Sequence, residues 1–177
     1  MRGTKVQGRF TVAYETDSLH RGVTSDLRDP VGVELDWHVW DAEYLASNPD
    51  DVIDDIYDTS SPEPGKGRRW KSPFRMPAIT AQLFQGAIVE NERGFYNTDT
   101  LRVVLNVGDV DRLLPNLTSQ PDKHIKDRVV FRNQVFVPTR VYPRGHMGYA
   151  FAVIAIDLNQ VNPEELVNDP QFQAYAN

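Results

Sequence analysis

Residues 127–161 read DRVVFRNQVFVPTRVYPRGHMGYAFAVIAIDLNQV, and the fold class turns on this stretch. Short runs of Val, Phe and Tyr bounded by Pro, Gly and Asn mark successive strands of an antiparallel meander. The pattern predicts strands over Arg128–Arg132, Gln134–Tyr142 and Gly148–Val161, with turns at Asn133-Gln134 and Pro143-Arg144-Gly145. Alternation in the second strand sets Val135, Val137, Thr139 and Val141 on one face and Phe136, Arg140 and Tyr142 on the other. Pro138 has no N–H to give a ladder, so it belongs at an edge or a bulge. The third strand, AFAVIAID, is apolar on both faces and reads as central. Nothing here has the makeup of an active site; the stretch reads as the core of a small β-barrel or sandwich.

Upstream, Thr100–Val107 has the cleanest alternation in the chain: Leu101, Val103, Leu105 and Val107 face one way, Thr100, Arg102 and Asn106 the other. Asp109 is placed to cap a helical turn over Val110–Leu114 that Pro115 stops. Met76–Val89 reads as a strand with a break at Gly86, followed by a loop or hairpin over Glu90–Asn97. Downstream, Asn162 is an N-cap candidate, Pro163 suits the first helical position and Glu165 stands where a capping box needs it. A short helix over 163–168 follows, with a second start at Asp169-Pro170.

The first third is patterned differently. Val6, Phe10, Val12 and Tyr14 can form one strand with Gly8 as a bulge, in what reads as a docked arm. Over 33–45, Trp37, Trp40 and Tyr44 fit a helix while Val33, Leu35, Trp37 and Val39 fit a strand, and periodicity does not separate the two. Pro49 starts a short amphipathic helix over 49–57, with Val52, Ile53, Ile56 and Tyr57 as its apolar stripe. Residues 58–75, DTSSPEPGKGRRWKSPFR, lack periodicity and read as a long charged Pro/Gly loop, opposite in charge to that helix. The expected organisation is thus an arm with a short acidic helix (1–57), the loop (58–75), a mainly β core (76–161) and a helical tail (162–177).

At 177 residues the chain suffices for one domain with extensions or two small ones. A net charge of −6 argues against a dedicated nucleic-acid binder. With no cysteine, disulfides and thiolate metal sites are excluded. The N-terminus has no apolar signal core and no run is long enough for a membrane helix, so a soluble protein is expected.

Candidate chemistry is sparse. Asp50, Asp51, Asp54, Asp55 and Asp58 lack the glycine and closing glutamate of a calcium loop and read as a solvated helix face. Asp36, His38 and Asp41 are the nearest approach to a metal cluster, but no second histidine is near; His20, His124 and His146 stand far apart. Gly65-Lys66-Gly67 lacks Walker A spacing. No catalytic, cofactor or metal residue is assigned. Arg68, Arg69, Trp70 and Lys71 combine charge with an aromatic and suit contact with another macromolecule; the bland alternative is a solvated loop.

The C-terminal half carries, in order, Asp127-Arg128-Val129, Phe136-Val137-Pro138-Thr139-Arg140-Val141, Gly145, Ala150–Leu158 and Val161-Asn162-Pro163-Glu164-Glu165-Leu166. In this arrangement it resembles the head-closure (head-to-tail stopper, or head–tail joining) proteins of tailed bacteriophages, especially actinobacterial siphophages. Arg93–Leu101 and His124–Arg128 fit the same group, so the likeness covers about residues 68–177 and leaves the N-terminal third unmatched. It implies a β-barrel with long loops, set in a twelvefold or sixfold ring in the virion neck. Portal or adaptor proteins would lie above the ring, and the tail terminator or tail tube below. It implies no catalysis and no cofactor; packaged DNA would pass through without sequence-specific binding, which an acidic wall suits. The expected interface residues are Lys66, Arg68, Arg69, Trp70, Lys71, Phe74, Arg144 and His146. A tail terminator or adaptor is the near alternative, and a small β-barrel enzyme or carbohydrate-binding module the distant one.

Overall fold

The structure, a computed structural model, describes residues 24–30, 32–47, 69–86, 89–91, 94–96, 99–147, 150–167 and 169–176. Side chains of residues 45–47, 89–91, 94–96, 145–147, 150–152 and 164 lie outside that description. The expected strand at Val6–Tyr14, the helix over 49–57 and most of the 58–75 loop also lie outside it.

The chain is mainly β, as the meander predicts. A helical segment, α1 (24–30), leads into β1 (Val33–His38) and α2 (Ala42–Ser47). Next come β2 (Phe74–Ala78), β3 (Thr80–Phe84) and a small hairpin of β4 (Val89–Asn91) and β5 (Gly94–Tyr96). β6 (Thr100–Asn106), α3 (Val107–Leu113), β7 (Arg128–Phe131), β8 (Gln134–Met147) and β9 (Ala150–Gln160) follow, and α4 (Pro163–Leu166) opens the tail. Among the described residues, seven strands form one antiparallel sheet in the order β2-β1-β7-β8-β9-β6-β3. Its hydrogen bonding does not close into the barrel the sequence suggests. The two edge strands are instead consecutive, parted only by Ile79, whose N–H donates to Val104 O at 2.8 Å.

The roll of the sheet encloses the main core. Leu35, Trp37, Met76 and Ala78 from β1 and β2 meet Leu101, Val103 and Leu105 of β6 and Ile154, Ile156 and Leu158 of β9 in one buried cluster. Val110, Leu114 and Leu117 close it from the α3 side. Residues 33–45 therefore resolve as a strand and then a helix, and the core starts at Val33 rather than at 76. The strand reading wins because Leu35 and Trp37, two residues apart, enter the core together.

Three local expectations are corrected. The turn expected at Pro143-Arg144-Gly145 is strand: Pro143 pairs with Ile154 and Arg144 with Val153. Proline is tolerated there because β7 pairs only with Gln134–Phe136, leaving that side of β8 without a neighbouring strand among the described residues. The faces of β8 also differ from strict alternation. A register shift between Pro138 and Arg140 inserts one extra residue, so Phe136 and Val141 both face the core while Arg140 and Tyr142 face out. Finally, α3 starts at Val107, capped by Asn106, whose side chain accepts from Gly108 N at 2.7 Å. Asp109 is not the cap; it accepts from Arg28 and Arg112 and ties α1 to α3.

Candidate interaction surface

The outer face of the sheet has two unlike halves. Over β7 and the start of β8 it is covered. Val130 and Val135 pack with Trp70, Val161, Leu166 and Phe172, so the C-terminal tail lies on the sheet as a lid of its own. Trp70 is 2 % exposed and Phe172 wholly buried, their rings meeting edge to face at 5.1 Å. Gln171 grips the backbone of Trp70 twice, accepting from its N–H at 2.8 Å and donating to its carbonyl at 3.0 Å. This mimics a strand partner. The Trp70 indole N–H donates to Lys126 O at 2.8 Å, and the Arg128 guanidinium lies 5.0 Å from the ring centroid.

Asp127 knits the covered half to the core. With no exposed surface, it accepts from the Trp37 indole at 2.9 Å, the Trp40 backbone at 2.8 Å and His124 Nδ1 at 2.7 Å. His38, paired in register with Arg128, sets its ring edge against Phe172 at 4.9 Å. Burial holds its imidazole below the usual histidine range, with Asp36 pulling weakly the other way.

The other half, over β3, β6, β9 and the middle of β8, is bare among the described residues. Arg102 makes two hydrogen bonds to Asp157, at 2.7 and 3.1 Å, and the Tyr142 hydroxyl also donates to that carboxylate at 3.1 Å. These bonds, the Arg102 bond first, hold the Asp157 carboxyl below its ordinary range against the effect of burial. Arg102 lies over Phe84, and Arg144 lies 4.8 Å from the Tyr142 centroid. Leu83 and Phe84 at the β3 end are each 45 % exposed. The face is a layered set of guanidinium groups and aromatic rings fixed by one carboxylate, chemistry suited to docking carboxylates and rings of another molecule.

The expected interface residues are scattered. Lys66 and Arg68 lie outside the described residues, as does the side chain of His146, whose backbone pairs with Phe151. Trp70 is corrected outright: its ring fills the covered half of the sheet, because a bridge to Trp40 draws the end of the 58–75 stretch into the fold. Phe74 is half-buried in β2, opposite Trp37. Arg69 and Lys71 flank Trp70 at the surface beside α2, Arg69 stacked 4.3 Å from the Tyr44 centroid and Lys71 loosely paired with Glu43 at 3.9 Å. Of those whose side chains are described, only Arg144 reaches this face, over the Tyr142 ring.

Sequence reasoning missed Arg102, Tyr142, Asp157 and Phe84 as a group. A signal was present: Asp157 is the one charge inside the apolar run AFAVIAIDL, and Arg102 sits on the polar face of β6. Only the register, which sets Arg102 opposite Asp157 and Asp157 opposite Arg140, joins them. Among the described residues no group of His, Asp and Glu is arranged to hold a metal ion, Asp36, His38 and Asp41 included. Among them also no helix is long and apolar enough to cross a membrane. No protein-family model matches the chain, and no curated protein matches it either.

Proposed function

We propose that this protein is a structural subunit of a tailed-bacteriophage neck, a head-closure ring that joins portal and adaptor to the tail and helps retain packaged DNA. The observation that carries the reading is the half of the outer sheet face that displays Arg102, Tyr142, Arg144 and Phe84 and that no described residue covers. Arg, Tyr and Phe held in layers at a surface are the residue types that anchor protein interfaces. Here Asp157 holds Arg102 and Tyr142, against which Phe84 and Arg144 lie, so a neighbour meets a preformed surface. The motifs behind the family resemblance add support of another kind, since Asp127, Phe136 and Leu166 are buried joints of the fold. The net charge of −6 suits a channel through which DNA slides without being held.

The test is assembly. Purified protein mixed with the portal and adaptor of the same genome is examined by native mass spectrometry and electron microscopy. A ring seated on the portal is expected, lost in Y142A/R144E while each variant subunit still folds. A protein that stays monomeric beside these partners overturns the reading.

A further inference from the structure

Part of the sheet is a four-stranded piece, β8-β9-β6-β3, with a margin on each side that no described strand covers. β3 pairs only with β6 among the described residues, so Thr80–Phe84 end the sheet there. β8 pairs with β7 only over Gln134–Phe136, and from Val137 to Met147 its sole partner among the described residues is β9. The two margins are unlike. β3 carries neither charge nor proline, and its Leu83 and Phe84 are exposed. An edge strand without such guards is a template for another strand. The β8 margin is instead hollow. Pro138, Arg140 and Val141 stand on one side of a trough of about 210 Å³, with Pro121, Asp122 and the exposed Ile125 on the other. A strand edge that faces a helical turn across a trough is a geometry in which extended segments add to sheets. One margin therefore offers apolar side chains and the other has room for them.

We propose that the occupant of the β8 margin is β3 of a second copy of this chain, so that copies join edge to edge into one continuous sheet. Strand direction favours it. The four strands alternate in direction, so β3 runs opposite to β8. A second copy in the same orientation thus brings its β3 antiparallel to the first copy's β8, with both outer faces on one side. Side chains agree as well. Gln82, opposite Arg102, shares the outer face of β3 with Phe84, while Leu83 shares the inner one with Ala81, which packs on the core. One register suits both faces: Phe84 opposite Arg140, Gln82 opposite Tyr142 and Thr80 opposite Arg144 outside, Leu83 opposite Val141 inside. Leu83 then enters the trough beside Ile125, and Phe84 meets a second guanidinium in addition to Arg102. Twofold pairing of β3 with itself would set Leu83 against Ala81 and leave the trough unfilled. The contact is heterologous, each copy giving one margin and receiving at the other, which generates a ring if the rotation closes and a filament if it does not. It follows from the two margins and does not require the neck reading.

The chain has no cysteine, so introduced ones report cleanly. Full-length Q82C and R140C, each a single substitution at an exposed position, are mixed and treated with a short bismaleimide, alone at high concentration and together with portal and adaptor. Within one copy the two sites lie three strand spacings apart, about 14 Å, so a cross-link reports contact between copies. A Q82C–R140C dimer is expected in at least one of the two conditions. It should fall about tenfold when the Q82C chain also carries L83K, because a lysine on an edge strand opposes pairing. As a check that needs no substitution, amides 80–84 and 139–145 of the unaltered protein should exchange more slowly in the cross-linking condition than in dilute solution, with 153–157 unchanged. Absence of the mixed dimer in both conditions, a Q82C self-dimer in its place, or edge amides that exchange alike at both concentrations overturns the proposal. A ring seated on the portal without the mixed dimer sinks this pairing and leaves the neck reading standing. A mixed dimer from protein that never engages the portal does the reverse.

Discussion

Asp127 serves three donors at once from a site that water does not reach. Removing a partner from a buried donor costs about 1–3 kcal/mol per group. Asp127→Ala is therefore expected to lower unfolding free energy by about 3 kcal/mol or more, measured by urea denaturation; a loss under about 1 kcal/mol would mean the donors find other partners. His38 makes a pH prediction. Its folded-state pKa is depressed by burial, so between that value and the unfolded value near 6.5 the unfolded chain binds more protons. Its contribution is intact above that window and is lost as pH falls through it. His38→Phe, which keeps the edge contact with Phe172, should flatten the fall in melting temperature between pH 7.5 and 5.5; an unchanged slope would assign the effect elsewhere. Neither role was legible in the sequence. Asp127 stands out there only as the start of a motif, and its indole partner lies 90 positions away.

Elements were read better than their ends. β6 and β9 are where alternation and apolar runs put them, and α4 begins at Pro163 as expected, although Asn162 makes no side-chain cap bond. What alternation cannot reveal is an inserted residue. The shift at Pro138–Arg140 reverses the facing of everything after it, which is why Arg140 and Tyr142 lie outside although Phe136 lies within. The β7–β8 turn lies one residue earlier than expected, on Arg132 and Asn133, with φ of 48° and 63°. Two left-handed residues are what a tight hairpin turn of this hand requires, and Asn-Gly fits it better than Arg-Asn. R132N/N133G should raise stability by about 1 kcal/mol, read as a higher denaturation midpoint with unchanged slope. A drop would show that the stacking of Arg132 on Phe131 outweighs the backbone term.

For the whole molecule, the mainly β class followed from the meander, but the roll did not. It depends on β1 bridging β2 and β7, and β1 lies in a stretch whose periodicity fits two structures. The covered half of the sheet was invisible for a related reason: Trp70 stands in a basic, proline-rich run, and its partners Gln171 and Phe172 come about a hundred residues later. Phe172→Ala should cost about 3 kcal/mol. It should also red-shift tryptophan emission as Trp70 and Trp40 meet water; an unshifted spectrum would mean the tail stays down without its anchor.

The single-residue break at Ile79 has a mechanical meaning. Because one uninterrupted run of backbone supplies both margins of the sheet, 74–84 acts as a hoop around the core, and pulling the margins apart strains a covalent chain as well as two ladders. A fold hooped in this way can bear lateral load from either side without splaying, and cutting the backbone at that one point would turn it into a sheet free to uncurl.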